Sequence, residues 1–257
     1  MPEDQVSLDW QQGSILPSEL LPEGERRGNT LAIVISQSCD IVHLSFEVEP
    51  FVEVVLAVKS ARLDGNYTFG KSPRRVDFKL VAIDSEQSYS CDINRRLRLD
   101  RRSLLDNRPL FDLPEEETQL LARWLSRRYY RVALPDALVK RVGDPKMSQI
   151  RKALKRDGIP LSNILVSLDH WDEVGEDTPY KVILFGVVPV EVQKHPDQFE
   201  QASRAIAAVR AILSNVAGVV LEDSQVVGED KISMDDLRTL RHWEFDSLSL
   251  AIDPVEY

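Results

Sequence analysis

Near Asp112 the apolar residues of this chain stop alternating and begin to recur every three to four positions, and this switch constrains the fold more than any other feature. Before it, residues 31–36 (LAIVIS) form a short apolar run and residues 48–58 a longer one carrying Pro50. Residues 76–83 and 89–93 alternate in part. Asp64-Gly65-Asn66 and Gly70-Lys71-Ser72-Pro73 supply turn chemistry between these runs. Short strands without a helical pattern predict a small barrel or rolled sheet over residues 1–110.

After the switch, Asp112 is placed to cap a helix, with Glu115 three residues on and Pro114 in the first turn. Leu120, Leu121, Trp124 and Leu125 form its apolar stripe. A second helix is bounded by Asp144 as cap, Pro145 at its first position and Gly158 beyond its end. Residues 111–158 therefore read as a helical connector. Beyond them, residues 164–168 and 181–190 look like strands. A long helix over residues 196–217 buries Phe199, Ala202, Ile206, Val209 and Leu213, and Gly218 stops it. A strand at 219–221, a short helix opened by Ser233 with Asp236, and a last strand over 245–252 complete an α/β sandwich over residues 159–257. The expected class is α+β, in three segments.

The 257 residues carry a net charge of −10, which argues against a surface that binds nucleic acid everywhere. The charge is uneven, however. Residues 94–156 hold 17 Lys or Arg against 8 Asp or Glu, so the rest of the chain carries −19. No window is apolar enough for a membrane span, and the start MPEDQVSLDW has no signal core, so a cytoplasmic protein is expected. The two cysteines, Cys39 and Cys91, are too few for a secreted disulfide framework and read as reduced, buried thiols.

Four groups of residues are candidates for chemistry. In Ile35-Ser36-Gln37-Ser38-Cys39-Asp40-Ile41-Val42-His43 an apolar strand runs out into polar residues, where a rigid scaffold can present reactive groups. Cys39 is a candidate nucleophile there, with His43 as base and Asp40 or Asp92 to orient it. Arg123, Arg127, Arg128 and Arg131, beside Tyr129 and Tyr130, are candidate phosphate contacts, because guanidinium forks grip phosphate and rings stack on bases. The same arginines could instead complement a helix dipole or pair with acidic segments. Asp77, Asp84, Asp169, Asp172 and Glu173 are the carboxylates a metal-dependent nuclease would converge, although turn chemistry accounts for them more simply. Cys39, His43, Cys91 and one of His170, His195 or His242 would make a zinc donor set, but their spacing matches no zinc module. Phosphate-loop, dinucleotide, zinc-protease and serine-hydrolase motifs are absent, and no cofactor or metal is expected.

Gln12-Gly13-Ser14-Ile15, Glu25-Arg26-Arg27 and Leu31-Ala32-Ile33-Val34-Ile35-Ser36 resemble, in order and spacing, the small barrels of PemK/MazF-like toxins, over about the first 95 residues. The resemblance implies a ribonuclease of the bacterial cytoplasm in which the RNA's own 2′-hydroxyl attacks. Arg26 or Arg27 would stabilise the phosphorane. The family carries an Arg-Pro pair where this chain has Arg26-Arg27-Gly28-Asn29.

The function expected is engagement of RNA or a nucleotide, extending to cleavage by a toxin-type endoribonuclease. Arg26, Arg27, Cys39, Asp40 and His43 would line the site. Two other readings stand beside it: a non-catalytic regulatory subunit with a protein partner, and a cysteine-dependent hydrolase or transferase.

Overall fold

The computed structural model describes residues 5–82, 85–129 and 134–244. It divides into two compact units: residues up to 63 with Pro73–Tyr129, and Asp64–Ser72 with the chain after residue 129. The two basic helices thus belong to different units rather than to a separate connector.

The first unit contains β1 (Ile15–Leu16), β2 (Thr30–Val34), α1 (Ser38–Ile41), β3 (Phe51–Ser60), β4 (Arg75–Ala82), β5 (Ser85–Asp100) and α2 (Glu115–Arg127). The strands form one antiparallel sheet in the order β1-β2-β3-β5-β4. No pairing joins β1 to β4 among the described residues, so the sheet is open rather than closed. The expected runs lie in β2, β3, β4 and β5, and β5 is far longer than its alternation suggested. Its register against β3 shifts between Val55 and Ala57, which face Arg96 and Cys91, so β5 carries extra residues there.

Both faces of this sheet are buried. Ile33, Val55, Cys91 and Ile93 pack with Leu121 and Trp124 of α2 on one face. Val34, Val54 and Leu56 pack with Val6, Trp10, Ile41 and Leu104 on the other. Two-sided burial explains why residues 54–57 are a continuous apolar run instead of an alternating one. The apolar stripe of α2 is where its spacing puts it, but Asp112 does not cap the helix. Pro114 occupies the cap position, and Asp112 instead accepts a 2.6 Å hydrogen bond from the buried Ser14 hydroxyl.

The second unit contains α3 (Asp136–Asp157), β6 (Asn163–Leu168), β7 (Tyr180–Val188), α4 (Val190–Gln193), α5 (Pro196–Leu213), β8 (Val219–Gly228), α6 (Asp236–Thr239) and β9 (Arg241–His242). Its sheet has the order β8-β7-β6-β9, with β7 and β8 parallel and the other pairs antiparallel. Through α4 and α5 the chain crosses between the parallel strands, and α3 and α5 pack together over the core. Gly143, at φ 65° and ψ 163°, interrupts α3 just before Asp144 and Pro145. The start read from those two residues is therefore a real boundary, with about two turns of helix, Asp136 to Val142, ahead of it. Ser233 and Asp236 exchange hydrogen bonds in the reciprocal pattern of a capping box. The last strand expected, over 245–252, lies outside the described residues, as do residues 83–84 and Arg131.

The β3–β4 connection belongs to the second unit. Gly65 approaches the end of α3 so closely that a Cβ there would lie 2.1 Å from the Leu154 carbonyl oxygen. The buried Lys71 ammonium donates to Thr68 Oγ1 at 3.0 Å, to the Gly158 carbonyl at 2.7 Å and to the Leu161 carbonyl.

Candidate functional site

Pro17 ends β1 after two residues, because proline has no N–H to give the ladder. The chain leaves the sheet through two 3₁₀ turns, Ser18–Leu20 and Glu23–Glu25, and returns at Thr30 as β2. Pairing with β1 reaches only Ala32, so Thr30 and Leu31 face no strand on that side. The opening is a cleft of about 340 Å³. Ile15, Leu16, Leu21 and Ala32 give it an apolar floor, each at most 3% exposed. Ser18, Glu19, Arg26 and Arg27 stand exposed at its mouth, beside half-buried Thr30.

The two arginines behave differently. Arg26 donates from Nε to the Leu21 carbonyl at 2.7 Å and from Nη2 to the Glu19 carbonyl at 2.9 Å, which staples the excursion closed. Arg27 is exposed, and its guanidinium has no partner among the described residues. Thr30 Oγ1 is buried and has no hydrogen-bond partner among the described residues. Ser18, Glu19 and Thr30 were missed by sequence reasoning. The available signal was the pair Pro17 and Pro22, bracketing a short excursion between two apolar runs.

Cys39, Asp40 and His43 lie at the other end of β2, in α1 and the turn after it. A five-residue strand separates them from Arg26 and Arg27, so the two groups do not form one site. Cys39 is exposed, contrary to the buried thiol expected, and its Sγ donates to Asp40 Oδ1 at 3.3 Å. His43 Nδ1 accepts from the Ser45 amide at 3.1 Å, and no hydrogen bond joins His43 to Cys39 among the described residues. Buried Arg101 positions this segment, donating to the carbonyls of Ile41, His43, Ser45 and Glu49 at 2.6–3.0 Å. Cys91 is buried in the core, and burial, reinforced by Asp77 and Asp92, pushes its thiol pKa far up. A thiol reagent should therefore modify one cysteine of the native chain, Cys39, and the second only after unfolding. Native modification of both, counted by mass spectrometry, would contradict that placement.

α2 ends at Arg127, with Arg128 capping it, so only Arg123 and Arg127 of the expected stripe share its helical face. Arg131 and Tyr130 lie outside the described residues. Among the carboxylates, Glu173 caps α3 by accepting from the Asp136 and Ala137 amides at 2.6 and 2.8 Å. Asp169 accepts from the Lys181 amide, and Asp77 pairs with Arg75. Such roles absorb Asp77, Asp169 and Glu173, while Asp84 lies outside the described residues. No group of three His, Cys, Asp or Glu side chains close enough to hold a metal ion occurs among the described residues, and no helix among them is long and apolar enough to cross a membrane. No protein-family model, no curated protein and no solved structure matches this chain.

Proposed function

We propose that the chain engages RNA or a nucleotide through phosphate, at the cleft beside β2. The observation that carries this reading is Arg27, a guanidinium without a partner among the described residues at the mouth of a cleft with an apolar floor. A guanidinium fork matches phosphate geometry and is less strongly hydrated than an ammonium, so it favours that ligand. Arg26 is held rigid by two backbone carbonyls and adds positive potential without having to be ordered on binding. Arg123 and Arg127, one turn apart on α2, are further basic positions in the same unit.

The proposal extends to cleavage of the kind known in PemK/MazF-like toxins. Glu19 would accept the 2′-hydroxyl proton as that oxygen attacks phosphorus, and Arg27 would stabilise the phosphorane. The departing 5′-oxygen takes a proton from solvent at the open mouth, leaving a cyclic phosphate and a 5′-hydroxyl.

The test mixes the purified chain with a long, weakly structured RNA at low and moderate salt, recording binding and new ends. Arg27→Gln is expected to weaken binding and lower the salt slope by about 1, and Glu19→Gln to abolish cleavage while binding persists. RNA that remains unbound at low salt would overturn the proposal.

A further inference from the structure

Resting on that phosphate reading, we infer that the cleft takes one unpaired ribonucleotide at a time, with its ring against Leu31 and Leu110 and its phosphate on Arg27. A cleft of about 340 Å³ lies at the small end of ligand sites, a size suited to a single nucleotide. Ile15, Leu16, Leu21 and Ala32 are already buried beneath it, and Leu31 and Leu110 keep the apolar surface that suits the face of a flat ring and gives bare inorganic phosphate nothing to bury against. Thr30, which lines the cleft, adds two polar groups with hydrogen-bonding capacity to spare.

The first is Thr30 Oγ1, buried without a partner among the described residues and able both to donate and to accept. The second is the Thr30 carbonyl. In β2 the odd-numbered residues bond towards β3, as Asn29 and Ile35 do with Lys59 and Glu53, while Val34 bonds towards Ser14 and Gly13 on the β1 side. The alternation turns the Thr30 carbonyl to the side where β1 has ended, and its N–H is already used by the Arg27 carbonyl. Glu19 at the mouth is a carboxylate acceptor for a ribose 2′-hydroxyl, a group deoxyribose lacks.

Calorimetric titration of the full chain with uridine monophosphate, its deoxy counterpart, uridine and inorganic phosphate tests this. The ribonucleotide should bind at least tenfold tighter than phosphate or uridine alone, and severalfold tighter than the deoxynucleotide. Arg27→Gln should weaken it about tenfold and Thr30→Val severalfold. Thr30→Val removes a hydroxyl that has no partner, so this variant should melt no lower than the parent, which separates a binding effect from a folding one. Phosphate binding as tightly as the nucleotide, or nucleotide affinity unchanged in both variants, would overturn the inference. If long RNA binds and mononucleotides do not, the one-nucleotide cleft fails while the phosphate reading survives. If neither binds, both fail.

Discussion

Gly65→Ala should destabilise the second unit by about 3 kcal/mol or more, the range of forced overpacking. The added methyl would sit 2.1 Å from the Leu154 carbonyl oxygen and 2.8 Å from the backbone of Gly158 and Ile159. These are main-chain atoms at a helix end, so no rotamer change relieves the clash. The loop or the end of α3 must move, and with it go the Gly65 amide bond to the Lys155 carbonyl and the Lys71 contacts. Hydrogen exchange should quicken at the amides of residues 65–72 and 158–161, with a matching fall in the denaturation midpoint. A variant that melts with the parent would show that the close approach is not what holds this loop.

Arg101→Ala is the second large effect, on the order of 4 kcal/mol, because several buried carbonyls would lose their donor at once. Arg101 is fully buried, and burial pulls its pKa below the usual guanidinium value, with Glu49 acting against that shift and Arg102 adding to it. Its guanidinium also lies over the Phe46 ring, 4.2 Å from the centroid. Arg101→Lys should recover little, since an ammonium cannot span four carbonyls with a planar fork. The segment from Ile41 to Glu49 is expected to become the first site of limited proteolysis. Cys39 labelling should stay fast in the variant, because that thiol is already exposed. Unchanged thermal stability would show that the carbonyls find other donors.

The helices were the most legible part of the chain. Their evidence is local: Pro145, Gly158 and the Ser233–Asp236 pair act within one turn of the boundaries they mark. Asp112 was misread for the opposite reason. Its partner is Ser14, 98 residues away, and no local pattern reveals a carboxylate claimed by a distant hydroxyl. The strands were visible as apolar runs, but their order was not. Inserting β5 between β3 and β4 depends on pairings that alternation does not encode, and two-sided burial of β3 blurs the alternation itself.

The candidate site was half legible. Arg26 and Arg27 stand at one cleft, but only the structure shows that Arg26 is occupied with backbone carbonyls while Arg27 is not. Arg101 is one of the 17 basic residues within 94–156, which the sequence marks only by their uneven charge. Sequence has no signal for a guanidinium that turns inward, because its acceptors are carbonyls, which every residue possesses.

The assignment of Asp64–Ser72 to the second unit makes the chain inseparable at its obvious cutting point. A fragment ending at residue 129 would carry Lys71 without the Gly158 and Leu161 carbonyls it binds. The complementary fragment would leave those carbonyls, and the end of α3, without the loop that caps them. Two polypeptides expressed from such a split gene should each aggregate or degrade alone. Co-expression could restore them only by threading a nine-residue loop of one back onto the other.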